Sequence, residues 1–358
     1  MVDLVGAFFV VALPTLVGWA IYSVQNQHAL SQIEDWKRVA SVAGLRDVEA
    51  VRGGTFGTRP GLTARAGQLR VELSTGQHSK TSSMYRFAIS GFGYPAEDLV
   101  LRREDMGSRI VKSLGRSDLH VGDPAFDDQL YVRGAPALVH AVFDAETRRD
   151  TIRFFADESA EMWLSEGELC YECADHQLMP RWVERQLPLV LDFARRVTRP
   201  ADIPGRLAAN VRRDTLPTAR LAKLAALVRE FPDLPVTRDT LRAALDDSSA
   251  EVRLRAAVEL KNEGEARLLD LAQDDAGPVE VQSRAVRALG DQLPLEEGEE
   301  ILSEALRSRR VPVAQAVLRA FGRKGGPGVV SSLTKGLTVG RGELAVAAAH
   351  ALRACGEA

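Results

Sequence analysis

Apolar positions in the last third of the chain repeat at near-constant spacing. Val252, Ala256, Ala257 and Leu260 are followed by Val281, Ala285, Val286 and Leu289, then by Val313, Val317, Leu318 and Phe321, then by Leu344, Ala348, Ala349 and Leu352. Apolar residues at i, i+4, i+5 and i+8 share one face of an α-helix. The steps of 29, 32 and 31 residues predict a stack of about four helical hairpins, each too small to bury its own apolar face alone. Leu216–Phe231 is expected as a preceding helix. Upstream, the period shifts towards two. Strands are expected over Leu69–Leu73, Tyr85–Ser90, Asp98–Arg102, Gln129–Arg133, Thr151–Phe155, Glu161–Leu164 and Glu168–Tyr171, most of them separated by Gly, Pro, Asn or Asp turns. A helix from His28 to Gly44, a short helix over Ala135–Asp144 and an apolar helix over Arg181–Val197 complete this region.

At the start, Leu4 to Ser23 is an apolar run, and no Asp, Glu, Lys or Arg occurs from Leu4 through Ile33. About 20 such residues span a bilayer core, and the basic n-region of a cleaved signal peptide is missing. The expectation is an uncleaved, single-pass transmembrane anchor in the inner membrane. Lys37, Arg38 and Arg46 after the span place the body in the cytoplasm. The expected organisation is an anchor over 1–27, an α+β domain over 28–198, a linker over 199–214 and an α-solenoid over 215–358. The fold class is thus α+β with an N-terminal transmembrane helix and a C-terminal α-solenoid.

Charge narrows the choice of partner. Residues 200–358 carry 23 Lys+Arg against 23 Asp+Glu, so the repeats lack the excess that a phosphate-backbone binder needs and no nucleic acid is expected. Three cysteines in 358 residues do not make a disulfide framework.

The stretch Leu241–Ala257, with its acidic turn Asp246-Asp247 and its Val252-Arg253…Ala256-Ala257…Leu260 helix, resembles a HEAT repeat of the bilin-lyase-like type. The later repeats keep the apolar columns and replace the Val-Arg pair with Val281-Gln282, Val313-Ala314 and Leu344-Ala345. The resemblance implies a stack of helix pairs, in a family that spans scaffolds, adaptors and some lyases. The segment Gly122-Asp123-Pro124-Ala125-Phe126-Asp127 and the strand after it resemble a turn in bacterial membrane-anchored proteins of unknown function, which implies a fold and no activity.

Candidate chemistry is sparse. Cys170 and Cys173 form a lone C-x-x-C with His176 nearby, the weak candidates for metal ligands; no fourth ligand stands at a suitable spacing, and residues i and i+3 of a strand face opposite sides. Asp118, Asp123, Asp127 and Asp128 do not have calcium-loop spacing and read as turn and cap residues. The glycine-rich stretches Gly53–Gly57 and Gly322–Gly328 match no phosphate-binding fingerprint. No catalytic residue and no cofactor is expected.

The function expected is therefore a membrane-anchored interaction scaffold or adaptor without catalysis. A bilin-lyase-like or isomerase enzyme and a nucleic-acid-binding repeat protein are the alternatives. In the resembled family the second helix of each pair lines the binding side. Stepping 100° per residue from Val252 places Val258, Arg287, Arg319 and His350 on its outward column, flanked by Arg255, Arg284 and Arg323. These form a mildly basic track suited to an acidic protein partner, although Glu251, Glu280 and Asp291 lie on the same side.

Overall fold

A computed structural model describes residues 33–51, 61–77, 83–93, 99–103, 119–156, 160–173, 179–340 and 342–356. Two compact units divide at Ile203/Pro204. The fold expectation is corrected at its first element. Among the described residues no helix is long and apolar enough to cross a membrane, so the anchor and the inner-membrane localisation are withdrawn. The run Leu4 to Ser23 itself lies outside the described residues.

The first unit is built on one eight-stranded sheet, in the order β1-β2-β3-β4-β8-β7-β5-β6. Its strands are β1 (Arg46–Val51), β2 (Gly61–Ala66), β3 (Leu69–Gln77), β4 (Ser83–Ser90), β5 (Leu99–Arg103), β6 (Leu130–Gly134), β7 (Ala160–Ser165) and β8 (Glu168–Cys173). Every paired neighbour is antiparallel. Alternation sorts the side chains onto two faces. Leu62, Val71, Phe87, Tyr171, Met162, Leu101 and Val132 are buried on one face, together with residues of the helices. Arg65, Arg70, Glu72, Glu161 and Arg133 are exposed on the other.

Helix α1 is described over residues 33–42, with Ile33, Trp36, Val39 and Ala40 buried, and Gly44 follows it at φ +72. Between β5 and β7 stand α2 (Pro124–Asp127), α3 (Pro136–Val142) and α4 (Ala145–Phe155); α5 (Met179–Arg196) follows β8 with Pro188 inside it. The Gly122-Asp123-Pro124 turn is explained by its carboxylates. Asp123 caps α2, accepting from Ala125 N at 3.2 Å, and receives Arg148 Nε at 2.8 Å. Asp127 collects the backbone N–H groups of Val121, Gly122 and Asp123 at 2.8, 3.0 and 3.2 Å.

Thr151–Phe155 corrects a second expectation, because it is helical. Its β-branched and aromatic residues read as strand, yet Asp144 caps the helix by accepting from Thr147 N at 2.8 Å. The buried residues Thr147, Arg148, Thr151, Phe154 and Phe155 then fall on one helical face. The whole of α4 had to be seen to find that period.

The second unit is all helical: α6 (Ile203–Arg213), α7 (Pro217–Glu230), α8 (Pro235–Ala244), α9 (Ala250–Leu260), α10 (Glu265–Gln273), α11 (Val279–Leu289), α12 (Leu295–Arg307), α13 (Val311–Lys324), α14 (Pro327–Val339) and α15 (Glu343–Gly356). Residues 203–213, read as linker, thus form a helix. It shares a buried cluster with its successor through Val211 and Leu224, making a fifth helix pair ahead of the four repeats. The second helices α7, α9, α11, α13 and α15 neighbour one another in succession. Val252, Ala256 and Ala257, then Val281, Ala285 and Val286, then Val313, Val317, Leu318 and Phe321 are buried in their inner columns. In α15 the column slips: Ala347, Ala348 and Ala351 are buried, whereas Ala349 is exposed.

Candidate functional site

In the first three second helices, α7, α9 and α11, the fourth residue ties the helix to the turns beside it. In α7 this is Arg220, whose guanidinium donates to the Asp214 and Thr215 carbonyls of its own turn and reaches Asp247 of the next turn through two bonds, at 2.9 and 2.7 Å. In α9 it is Arg253, which donates to the Asp247 and Ser248 carbonyls. In α11 the position holds Gln282, and the charge has moved to the following turn. There Arg310 donates to Gln282 Oε1 at 2.9 Å and to the Asp275 carbonyl, while Gln282 Nε2 donates to the Ala272 carbonyl at 2.8 Å. Next to Arg220, Lys223 Nζ meets Asp214 at 2.9 Å in a fully buried pair. These contacts use the carbonyls that a helix end leaves unsatisfied. The repeat pattern showed the loss of the Val-Arg pair but held no cue to the Arg310 replacement.

With the stack so fixed, α13 and α15 run side by side in the same direction. Gln315 Nε2 donates to Glu343 Oε2 at 3.0 Å near their beginnings, and Gly322 meets Ala351 near their ends. A Cβ on Gly322 would lie 2.9 Å from both Cα and Cβ of Ala351, so only glycine permits this approach. Between the helices lies a groove of about 750 Å³. Gly322, Ala347, Ala351 and Ala354 line its small-residue floor, Val346 is 56% exposed at its side, and Arg319, Arg323 and His350 supply its basic groups. The Arg323 guanidinium also lies over Gly290 at the C-terminus of α11, where the helix dipole favours a cation. A larger depression of about 960 Å³ on the first-helix side is lined by Glu296, Glu299, Glu300 and Glu304 with Ser332 and Lys335. Its lining is mostly polar and acidic, and its apolar residues Ile301 and Leu302 are buried and offer little surface to a partner.

Three of the sequence-selected residues, Arg319, Arg323 and His350, therefore meet in one groove. Arg284 and Arg287 are exposed on α11 and do not line it; Arg287 donates to Ser283 Oγ at 3.4 Å on its own helix. Arg255 is turned along α9 to Glu259 at 2.6 Å. Gln315, Glu343 and Val346 were missed although the same 100° step puts them within about 40° of the outward column, because none carries a basic group or a motif.

The Cys-x-x-Cys pair is not brought together. Cys170 lies on the open face of the sheet and Cys173 with the core, on opposite sides of β8; His176 lies outside the described residues. Among the described residues no group of three or more His, Cys, Asp or Glu is arranged to hold a metal ion. Cys170 is covered by Arg86, whose guanidinium contacts its Sγ at 2.9 Å and bridges to Glu168 at 2.6 Å. Burial pushes the Cys170 thiol up to about 12, and its hydrogen bond to Glu168 adds to the rise.

No family model, curated protein or solved structure matches the chain.

Proposed function

We propose that the second unit is a protein-recognition module, and that the chain acts as an adaptor receiving an acidic segment of a partner in the groove between α13 and α15. The observation that carries this reading is the convergence of Arg319, Arg323 and His350 on an apolar-floored groove. Guanidinium forks match carboxylates, and the small floor residues leave room for a partner's apolar side chain between its acids. Glu343 at the other end disfavours acid there, so the partner's carboxylates belong at the Arg323 end. The resemblance to HEAT repeats, which often serve as binding surfaces, agrees with this assignment.

The test compares the wild-type chain with Arg319→Glu/Arg323→Glu in parallel affinity capture at two salt concentrations. The expected result is an acidic protein retained by the wild type, lost at high salt and lost from the variant at unchanged helicity. Recovery of the same proteins by both chains would refute the reading.

A further inference from the structure

On the open face of the sheet, the pairing register sets Arg46 of β1 opposite Arg65 of β2 and Arg65 opposite Arg70 of β3, and Ser90 of β4 stands next in the same row. Cross-strand partners on one face have Cβ atoms about 5 Å apart, so the three arginines occupy a line about 10 Å long. All three are exposed, and among the described residues their side chains make no ion pair or hydrogen bond. The adjacent row carries Glu49 and Glu72 on either side of Thr63, and neither forms an ion pair with these arginines among the described residues. Glu168, which follows Ser90 in the arginine row, is already engaged by Arg86.

Like charges directly opposite one another destabilise a sheet. Arg86, Arg148 and Arg196 of this unit are matched, Arg86 by Glu168 and Glu172, Arg148 by Asp123, and Arg196 by Glu146, Asp150 and Asp192, whereas exposed guanidiniums such as Arg133, Arg149 and Arg153 make no ion pair among the described residues. What sets Arg46, Arg65 and Arg70 apart is that they stand directly opposite one another across three paired strands, although the ladder shifts register just past Arg46.

We propose that Arg46, Arg65 and Arg70, with the Ser90 hydroxyl beside them, bind a compact oligophosphate anion. Each planar fork takes two anionic oxygens, and a row of three asks for successive anionic groups rather than one carboxylate. Bound phosphates replace the repulsion with attraction, so occupancy registers as stabilisation of the fold.

The experiment measures thermal unfolding and calorimetric binding of the full chain with inorganic tripolyphosphate, adenosine triphosphate and orthophosphate at matched ionic strength. The wild type is compared with Arg65→Gln/Arg70→Gln. Tripolyphosphate should raise the wild-type midpoint by on the order of 5 °C at saturation. Its affinity for the double variant should fall about tenfold or more, through loss of two charge-assisted contacts. Without ligand the variant should unfold at the same temperature or higher, because repulsion has been removed, which separates lost binding from lost folding. Equal responses to tripolyphosphate and adenosine triphosphate assign the site to the phosphate chain alone, and a stronger response to the nucleotide extends the ligand to its nucleoside. Equal responses of wild type and variant, an equal effect of orthophosphate, or silence towards all three would overturn the proposal.

Discussion

Cys170 is 1% exposed although it stands on the solvent face of the sheet, because Arg86 lies across it and Trp163 stands opposite on β7. Thiolate, not thiol, is the nucleophile, and a thiol pushed up to about 12 stays protonated through neutral and mildly alkaline solution. Native protein treated with iodoacetamide between about pH 7 and pH 9 should therefore be alkylated at half-exposed Cys355 and spared at Cys170. Peptide mass mapping checks this, and early modification of Cys170 would show that Arg86 does not cover it. The opposed faces of the two β8 cysteines were legible from strand alternation alone. The Arg86 cover was not, since it depends on a residue 84 positions away that only sheet pairing brings near.

At the level of elements, α13 and α15 are held close by the missing side chain at Gly322. Gly322→Ala should force the helices apart and cost about 1–3 kcal/mol, against the small gain in helix propensity that alanine offers. The same separation should weaken partner capture by the groove. Urea unfolding tests the first effect, and an unchanged midpoint would mean that the helices already stand further apart. The second helices were readable in sequence because their buried columns recur, and small residues at those columns have no other ready explanation. The strands β1 and β2 escaped because Arg46, Asp47, Glu49, Thr63 and Arg65 break any clear run of apolar residues. The slip of the last column also escaped. Along the Ala-rich stretch Ala345–Ala351, neighbouring positions suit a helix interface equally well, and packing alone decides which of them is buried.

For the molecule as a whole, the buried residues separate into one cluster in the sheet unit and two in the helical unit. Phe87→Ala and Phe321→Ala each remove a fully buried ring, at a cost of about 3–5 kcal/mol. Calorimetry should show each substitution lowering a different transition; a single transition moved equally by both would mean that the chain unfolds as one cooperative body. Within the helical unit, the reversed contact between turns has a consequence for assembly order. Where Arg220 reaches forward to an acid at Asp247, Arg310 reaches backward to Gln282 and the Asp275 carbonyl. Identical repeats could be exchanged, duplicated or stacked out of sequence without penalty. Here a hairpin moved to another place would set guanidinium against guanidinium or leave an acid facing a carbonyl. The succession of hairpins is thus written into the joints themselves, and the array resists the slippage and recombination to which uniform repeats are prone.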